Sequence, residues 1–205
     1  MLIETDIFSR MPTLRTQRLT LRAVRMADAR DMYEYSRDPE VAHHVLWEPH
    51  VSIHQTRGYI RSILRQYRAG LPATFVIELN EERKVIGTIG LMWLQRDNRS
   101  AEIGYSLSRT YWNRGLMTEA LREMLRFCFD HLYLNRVEAQ YEIDNPASGA
   151  VMRHAGMRRE GTLRQRIYNK GRFVDVDLYA ILRTDYEELC AKGGKNDPDF
   201  PKPKS

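Results

Sequence analysis

The chain has 205 residues, and its 32 lysines and arginines against 27 aspartates and glutamates give a formal net charge of +5 at neutral pH. Hydrophobic residues make up 42% and charged residues 29%, a balance typical of globular proteins and not of disordered or fibrous ones. This length is enough for one large domain with its own core. The positive charge suits an anionic ligand. Because the cations are spread along the chain, however, it predicts no nucleic-acid site.

The sequence gives little support for a membrane protein, a secreted protein or a protein built around a metal site. No apolar stretch approaches the roughly 20 residues that span a bilayer, and residues 1–6 lack the pattern of a signal peptide. The two cysteines, Cys128 and Cys190, are too few for a disulfide framework or a four-cysteine zinc site. His43 and His44 are adjacent but lack further ligands in the sequence, so no metal site is expected. These features predict a cytoplasmic protein.

The first third of the chain predicts a strand followed by helices. Residues 19–24 alternate between apolar and polar, which is typical of a strand, and residues 27–35 form a short helical pattern. Asp38-Pro39 predicts a second helix start, with the aspartate as cap. Ser52 and Gln55 fit a capping box at the start of a longer helix that Gly70 ends.

The rest of the chain mixes strands and helices. The predicted order is strands at 74–79, 85–93 and 101–107, a helix at 117–132, a strand at 137–141, a short helix from Asn145 to Gly156 and a hairpin around 169–171. We therefore predict an α/β chain with a mixed, mostly antiparallel sheet flanked by helices. The strand–helix–strand segment at 101–141 should be a right-handed crossover between parallel neighbours.

The turn between the third of these strands and the following helix carries the strongest chemical signal. It is basic and contains Gly115, so its backbone can approach a ligand closely. Free backbone N–H groups and the positive end of the helix would meet there, with the charge of Arg114 and the hydroxyl of Thr118 beside them. This pattern indicates a cradle for phosphate or pyrophosphate, although an ordinary loop with a flexible glycine has the same local sequence.

Residues 111–121, Tyr-Trp-Asn-Arg-Gly-Leu-Met-Thr-Glu-Ala-Leu, resemble the acetyl-CoA pyrophosphate loop of the GNAT N-acetyltransferase superfamily, in particular its RimJ/RimL type. That branch acetylates the N-termini of ribosomal proteins. Three further segments are similar to the branch in the same order: its opening strand, its Asn-x-x-Ser helix with the step that follows, and its closing hairpin. They lie at 14–22, 145–161 and 168–175. Four collinear matches over about residues 14–182 make the resemblance specific.

Two positions depart from the superfamily pattern. The general loop reads Arg/Gln-x-x-Gly-x-Gly/Ala, whereas this chain has Trp112 at the first position and Met117 at the last. Phosphate binding would therefore rest mainly on backbone amides and Arg114. Some members also place a base carboxylate in the strand after the Asn-x-x-Ser helix, but residues 165–168 contain none. The base would have to come from elsewhere.

The resemblance implies a single GNAT domain with a splayed central strand pair. We expect it to span residues 1–190, followed by a disordered polar tail at 191–205. It also implies acetyl-CoA as the acetyl donor and no metal. The cofactor-binding residues it indicates are Ser106, Leu107, Ser108, Asn113, Arg114, Gly115, Leu116, Met117, Thr118 and Asn145.

The reaction implied by the resemblance is direct attack of an amine on the acetyl thioester, which needs a base, N–H donors for the oxyanion and an acid for the departing thiolate. Glu102 is the expected base, because some relatives carry a glutamate on the equivalent strand. A water-relayed base and selection of the neutral amine stay open. Ser148 is the expected acid, with Tyr105 and Tyr168 as rivals.

The acceptor is less well defined. Trp47, Glu48 and Tyr105 are the expected substrate-binding residues, since residues 45–49 resemble the loop that lines the acceptor cleft of this branch. We expect the acceptor to be a primary amine, foremost the N-terminal α-amine of a protein or peptide. A polyamine, an aminoglycoside or an amino acid is an alternative, and so is a non-catalytic acyl-CoA-binding module. Neither a membrane nor a nucleic acid is expected as a partner, and a homodimer stays open.

Overall fold

The structure is a computed structural model that describes residues 7–196. The strands are β1 (Leu14–Arg15), β2 (Leu19–Ala23), β3 (Thr74–Leu79), β4 (Lys84–Gln95), β5 (Ser100–Leu107), β6 (Arg136–Glu142), β7 (Arg158–Asn169) and β8 (Arg172–Leu182). The α-helices are α1 (Ala29–Ser36), α2 (Pro39–Ala42), α3 (Ile53–Arg68), α4 (Leu116–Arg126), α5 (Pro146–His154) and α6 (Arg183–Asn196). Short 3-10 turns cover Met26–Asp28 and Arg109–Tyr111, and a π-helical turn covers Phe127–His131.

The strands form one mixed sheet in the order β1-β2-β3-β4-β5-β6-β8-β7, which confirms the predicted α/β class. The contacts divide the chain into two compact units. Within the described residues, one unit, called here the N-terminal unit, comprises residues 7–92 and 104–116, and the other, the C-terminal unit, comprises residues 93–103 and 117–196. Strands β4 and β5 each contribute residues to both units, so each unit is described by itself.

In the N-terminal unit, β1, β2, β3 and β4 are paired in antiparallel fashion. Helices α1 and α3 provide one core, because their apolar faces recur at helical spacing. Met32 and Tyr35 of α1 and Ile60 and Ile63 of α3 are almost fully buried in that core. Burial of these apolar side chains is the main free energy that holds the helices in place.

In the C-terminal unit, β5 and β6 are parallel neighbours, which confirms the parallel arrangement predicted for the strands of residues 101–141. Their pairing begins at Ser100 with Arg136 and reaches Glu102 with Glu138. Both strands continue beyond these pairs, β5 to Leu107 and β6 to Glu142. On its other side, β6 pairs along its whole length with antiparallel β8. Glu102 thus occupies the last residue pair that joins the two parallel strands.

The helix caps follow the predictions with one difference. The Asp38 carboxylate accepts the backbone N–H of Glu40 at the start of α2, and the Ser52 hydroxyl accepts that of Gln55 at the start of α3. The reciprocal half of the expected capping box is shifted by one residue. The Gln55 side-chain oxygen accepts the N–H of Val51 (3.1 Å), so it satisfies the residue before the cap.

Strand β7 is much longer than the short segment predicted before the last hairpin, because it begins at Arg158. Its residues are mostly exposed and mostly polar or charged, so they show no apolar alternation. Two register irregularities against β8 also interrupt its period, and Gln165 adopts φ +49° within the second of them. An edge strand with one solvated face can be formed by backbone pairing alone, which a pattern of side chains does not reveal.

The sequence pattern also missed the last helix. Helix α6 runs from Arg183 to Asn196 and therefore passes through the predicted boundary at residue 190, while residues 197–205 of the predicted tail lie outside the described residues. Its anchor is Tyr186, which is buried and stacks on Phe129 with ring centroids 4.7 Å apart. The predicted helix 117–132 is present as α4 and the π-helical turn that follows it.

No helix within residues 7–196 is long and apolar enough to cross a membrane. Both cysteines, Cys128 and Cys190, are buried, and they form no disulfide with each other.

A charged network fixes the start of β7 against β8. The guanidinium of Arg159 donates from two nitrogens to the carboxylate of Asp177, each at 2.7 Å, and the Thr162 hydroxyl donates to it at 2.6 Å. Tyr141 adds a longer hydrogen bond of 3.3 Å. The hydrogen bond from Arg159 is the largest cause that lowers the pKa of Asp177 to about 2 from its ordinary 3.8.

This shift predicts a pH-dependent part of the stability. Since the pKa of Asp177 is depressed in the folded state, its stabilisation is complete above about pH 4 and is lost as the pH falls toward about 2. Asp177→Asn should therefore lower the melting temperature by a few degrees at pH 7 and by progressively less toward pH 2. Thermal melts followed by circular dichroism measure this. Asp97→Asn, in the exposed turn between β4 and β5, is the control, and an equal deficit of Asp177→Asn at both pH values would contradict the linkage.

Candidate functional site

The turn between β5 and α4 is anchored by aromatic side chains. Tyr111 is buried, and its hydroxyl donates to the carboxylate of Glu82 at 2.5 Å. The indole N–H of Trp112 donates to the carbonyl of Leu107 at 2.8 Å. Trp112, which stands where the superfamily pattern has Arg or Gln, therefore holds the turn to the strand that precedes it.

The following residues form an exposed, strained bend. Asn113 and Gly115 adopt φ +61° and +72°, in the left-handed region that glycine and asparagine tolerate best. A guanidinium nitrogen of Arg18 donates to the carbonyl of Arg114 at 3.0 Å, and the Arg114 guanidinium lies 5.2 Å from the centre of the Tyr111 ring. The bend is thus tied down from two sides while its tip is exposed.

Helix α4 begins immediately after this bend. Its first backbone N–H groups lack partners within the helix and coincide with the positive end of the helix dipole. Leu116 and Met117 have buried side chains, so they can offer a ligand only backbone groups, whereas Thr118 is half-buried. A pyrophosphate would fit this segment well, because it combines the left-handed residues Asn113 and Gly115, the positive charge of Arg114 and the unpaired N–H groups at the start of a helix.

The residues of β5 that precede the turn are largely engaged with protein. The Ser108 N–H donates to the carbonyl of Ile86 at 2.7 Å, and the Leu107 carbonyl is the acceptor for Trp112. The Ser106 hydroxyl is 3.1 Å from that of Thr88. Two of the predicted cofactor residues, Leu107 and Ser108, therefore already use a backbone group in a hydrogen bond within the protein: the carbonyl of Leu107 and the N–H of Ser108.

Gly115→Ala should weaken coenzyme A binding by roughly tenfold or more, because a non-glycine residue in the left-handed region costs about 1–2 kcal/mol. The bend would relax toward another conformation and displace the amides at the start of α4. Isothermal titration calorimetry with coenzyme A measures the change.

The matched control is Gly58→Ala, which adds the same methyl group within α3, where it meets only a side-chain nitrogen of Arg61 at 3.8 Å. This variant should bind coenzyme A as the wild type does. Equal affinities of all three proteins would show that the bend does not hold the ligand.

Glu102 lies half-buried on β5 and is held by two hydrogen bonds. The indole N–H of Trp93 donates to one carboxylate oxygen at 2.6 Å, and the side-chain amide of Gln140 donates to the other at 2.9 Å. Two donors on neighbouring strands fix the direction of the carboxylate, which is what a group that must meet a reacting proton needs.

Gln140 was not singled out in the sequence. A signal was present, because Arg136, Glu138 and Gln140 alternate with the apolar Val137 and Ala139 and so share the polar face of β6. Gln140 could be placed beside Glu102 only once the parallel register of β5 and β6 was known.

Asn145 and Ser148 occupy the start of α5. The Asn145 side-chain oxygen accepts the backbone N–H of Ser148 at 3.3 Å, so Asn145 is the helix cap that the sequence predicts. The Ser148 side chain lies in the first turn and is half-buried. The rival acids differ in exposure: Tyr168 is 63% exposed and packs against Phe173, whereas Tyr105 is half-buried on β5.

The predicted acceptor loop is followed directly by a histidine, His50, that the sequence analysis does not single out. Trp47 is half-buried and its ring centroid is 5.6 Å from that of His50, while Glu48 is exposed. His50 is buried, and its Nδ1 lies 2.9 Å from the Ser36 hydroxyl and 2.8 Å from that of Thr56. Burial lowers the pKa of His50, which keeps the ring neutral at pH 7. No local sequence motif marks this residue.

The C-terminal unit carries an open polar groove of about 500 Å³. Trp93, the residue that holds Glu102, forms one wall, and the carboxamides of Gln95, Asn98 and Asn135 line it. Its one lining carboxylate, Glu138, is paired with Arg136 at 2.8 Å. The groove is therefore polar without being acidic.

Comparison with known proteins places this geometry in a family. The acetyltransferase (GNAT) domain family matches residues 18–158. A relative described as uncharacterized N-acetyltransferase p20, from Bacillus licheniformis, is 36% identical over 176 residues, which are 86% of this chain and 99% of that protein. The ribosomal-protein-serine acetyltransferase of Escherichia coli (strain K12) is 29% identical over 125 residues, 61% of this chain and 69% of that one.

A similar fold is seen in the solved structure described as RimL, a ribosomal L7/L12 alpha-N-protein acetyltransferase in complex with coenzyme A. The TM-score is 0.75 at 22% identity, with 83% of this chain and 98% of that chain covered.

Because the family match spans most of the chain, the chain belongs to the GNAT acetyltransferase family. It is an acetyl-CoA N-acetyltransferase of the GNAT type, and hence an acyltransferase.

Proposed function

We propose that this enzyme transfers the acetyl group of acetyl-CoA to the N-terminal α-amine of a protein or peptide, with Glu102 as the group that receives the proton of the amine. The observation that carries the proposal is the carboxylate of Glu102, fixed by Trp93 and Gln140 at the end of the β5–β6 pairing. The polar, non-acidic groove that shares Trp93 supports an acceptor that is longer than a small amine.

The bend at residues 113–115 and the first turn of α4 would hold the pyrophosphate of acetyl-CoA. Backbone N–H groups of residues 115–118 and the Arg114 guanidinium would neutralise its charge, and Arg18 keeps the bend in shape. When bound, acetyl-CoA supplies an acetyl group activated as a thioester. Asn145 would keep the start of α5 in place through its cap.

Glu102 would accept a proton from the acceptor ammonium, directly or through one water, so that a neutral amine is available for attack. Trp93 and Gln140 act as positioning residues, because each donates to one oxygen of the carboxylate and so fixes its plane. Ser148 is the group we assign to donate a hydrogen bond to the departing sulfur, with Tyr105 as the alternative. Trp47, Glu48 and Tyr105 would contact the acceptor.

The charges of the groove favour a peptide over a polyamine or an aminoglycoside. A polycationic acceptor needs unpaired carboxylates, whereas the lining Glu138 is committed to Arg136. Carboxamides both donate and accept, as the backbone of a peptide does. A free amino acid or another small amine stays the second candidate, because the cofactor residues would be the same for it.

Release of thiol from acetyl-CoA tests the function and the acceptor class together. The acceptors to be compared are peptides with a free α-amine, matched peptides with an acetylated N-terminus, spermidine and free amino acids. We expect turnover with free-amine peptides and at least tenfold lower kcat/KM with the other acceptors. Faster turnover of spermidine or an amino acid would show that the acceptor is a small amine and not a peptide. Binding of coenzyme A without turnover of any acceptor would refute catalysis on these amines.

Glu102→Gln should lower kcat at neutral pH by roughly 10²-fold or more, since a positioned base contributes about that factor. The amide keeps the shape of the side chain but no longer accepts the proton, so the dependence of the rate on pH should also change. Steady-state rates between pH 6 and 9 measure both effects.

Glu81→Gln provides the same change of charge in the exposed turn between β3 and β4 and should leave the profile intact. An unaltered rate and profile in Glu102→Gln would remove Glu102 from the mechanism.

A further inference from the structure

One face of helix α3 carries a row of arginines, called here the arginine row. Its members are exposed and recur at intervals of four, four and three residues: Arg57, Arg61, Arg65 and Arg68. With 3.6 residues in each turn, these positions fall within about 80° around the helix axis. The apolar side of α3, with Ile60 and Ile63, is buried in the core of the N-terminal unit. The arginine row therefore faces solvent.

The charge of the row has no counterpart in the part of the chain that the structure describes. Within residues 7–196, none of the four guanidinium groups forms an ion pair or a hydrogen bond. Helix α3 contains no aspartate or glutamate. On the neighbouring helix α1, Glu34 pairs with Lys84 at 2.8 Å, and Asp31 accepts the backbone N–H of Val85 at 2.9 Å. These carboxylates are therefore committed to β4.

The stability of the helix does not explain the row. Cations in the last turn interact favourably with the helix dipole, which accounts for Arg65 and Arg68. Arg57 and Arg61 lie before the last turn, where the dipole gives no such gain. Like charges four residues apart also weaken a helix. A row of cations that costs stability and lacks internal partners indicates an external polyanion.

The geometry of the row fits a phosphate backbone. Arginines four residues apart are separated by about 6 Å along the helix axis, and the whole row spans about 16 Å. This spacing is close to that between neighbouring phosphates of an extended nucleic-acid strand, and a guanidinium can bind a phosphate through two parallel hydrogen bonds. The phosphates of a duplex strand wind around the duplex axis, so a straight row fits a single strand better.

An anionic membrane fits this helix less well. A helix that lies in a membrane interface buries an apolar face in the lipid. Helix α3 has already buried its apolar face against α1 and the sheet of the N-terminal unit. It can therefore offer a partner only its charged side.

We propose that the arginine row of α3 binds the phosphate backbone of single-stranded RNA, the abundant single-stranded nucleic acid of cells, without reading its sequence. This inference does not depend on the proposed acceptor or on Glu102. The spread of cations along the chain predicts no nucleic-acid site, because other residues separate the four arginines in the sequence. Only the folded helix brings them into one row.

Fluorescence anisotropy with a labelled oligouridine measures the binding to the full chain, without acetyl-CoA or an acceptor. We expect a dissociation constant between about 1 and 100 µM near physiological salt, as is typical of sequence-independent binding. The logarithm of the association constant should fall with the logarithm of the salt concentration with a slope of about −3. Each of four contacted phosphates contributes about 0.7 to that slope on a single strand.

Arg61→Gln combined with Arg65→Gln removes the centre of the row. Both positions are exposed and glutamine is a good helix former, so the fold should be retained, which thermal melts verify. We expect at least tenfold weaker RNA binding and a salt slope that is smaller by about 1.4. Acetyl transfer should be unchanged, since neither residue belongs to the proposed transferase site.

The matched control is Arg153→Gln combined with Arg164→Gln. It removes the same two charges from exposed positions of the C-terminal unit and should bind the oligouridine as the wild type does. An equal loss of affinity in this control, or no loss in the Arg61 and Arg65 variant, would overturn the site while leaving the transferase function intact.

The choice of partner is tested with other polyanions. Tighter binding to an RNA duplex, to polyglutamate of equal charge or to phosphatidylserine vesicles would assign the row to a different partner and overturn the proposal. Nucleic acid that copurifies with the wild type at low salt should be degraded by ribonuclease. Its degradation by deoxyribonuclease alone would also contradict the assignment to RNA.

Discussion

The position of the Glu102 carboxylate depends on one short piece of sheet, the parallel pairing of Ser100–Glu102 in β5 with Arg136–Glu138 in β6. Parallel neighbours need a crossover connection, which the chain supplies as α4 and the turn before it. The same connection that allows the pairing also creates the helix start after the bend at Gly115. The positions of the proposed base and of the proposed pyrophosphate site therefore both follow from this one crossover connection.

The side chains around this pairing divide between structural and chemical tasks. Arg136 is held by Glu138 and Glu160, which lowers the pKa of Glu160 and leaves these charges satisfied within the protein. Trp93 and Gln140, in contrast, donate to Glu102. A carboxylate held by neutral donors keeps its charge available to an incoming amine, which a carboxylate paired with arginine would not. The difference between Glu102 and Glu138, opposite each other in the register, illustrates this point.

Local patterns predicted the elements that sequence periodicity and caps define. The apolar face of α4, the caps Asp38, Ser52 and Asn145, and the bend at Gly115 are all present where the sequence indicates them. Trp112 departs from the motif, and its indole holds the turn to the Leu107 carbonyl, a role that the motif does not predict.

What the sequence could not predict depends on long-range register and on burial. Strand β7 is stabilised by backbone pairing and by the Arg159–Asp177 ion pair, and α6 by one stacked tyrosine, so neither has a strong period of its own. Gln140 and His50 have hydrogen-bond partners that are distant in the sequence, so no local pattern marks them.

The most direct test of the proposed reaction is mass spectrometry of a peptide with an N-terminal alanine and an internal lysine after incubation with isotopically labelled acetyl-CoA. The account predicts label on the α-amine alone and its loss in Glu102→Gln, whereas label on the lysine, or equal labelling by that variant, would contradict it.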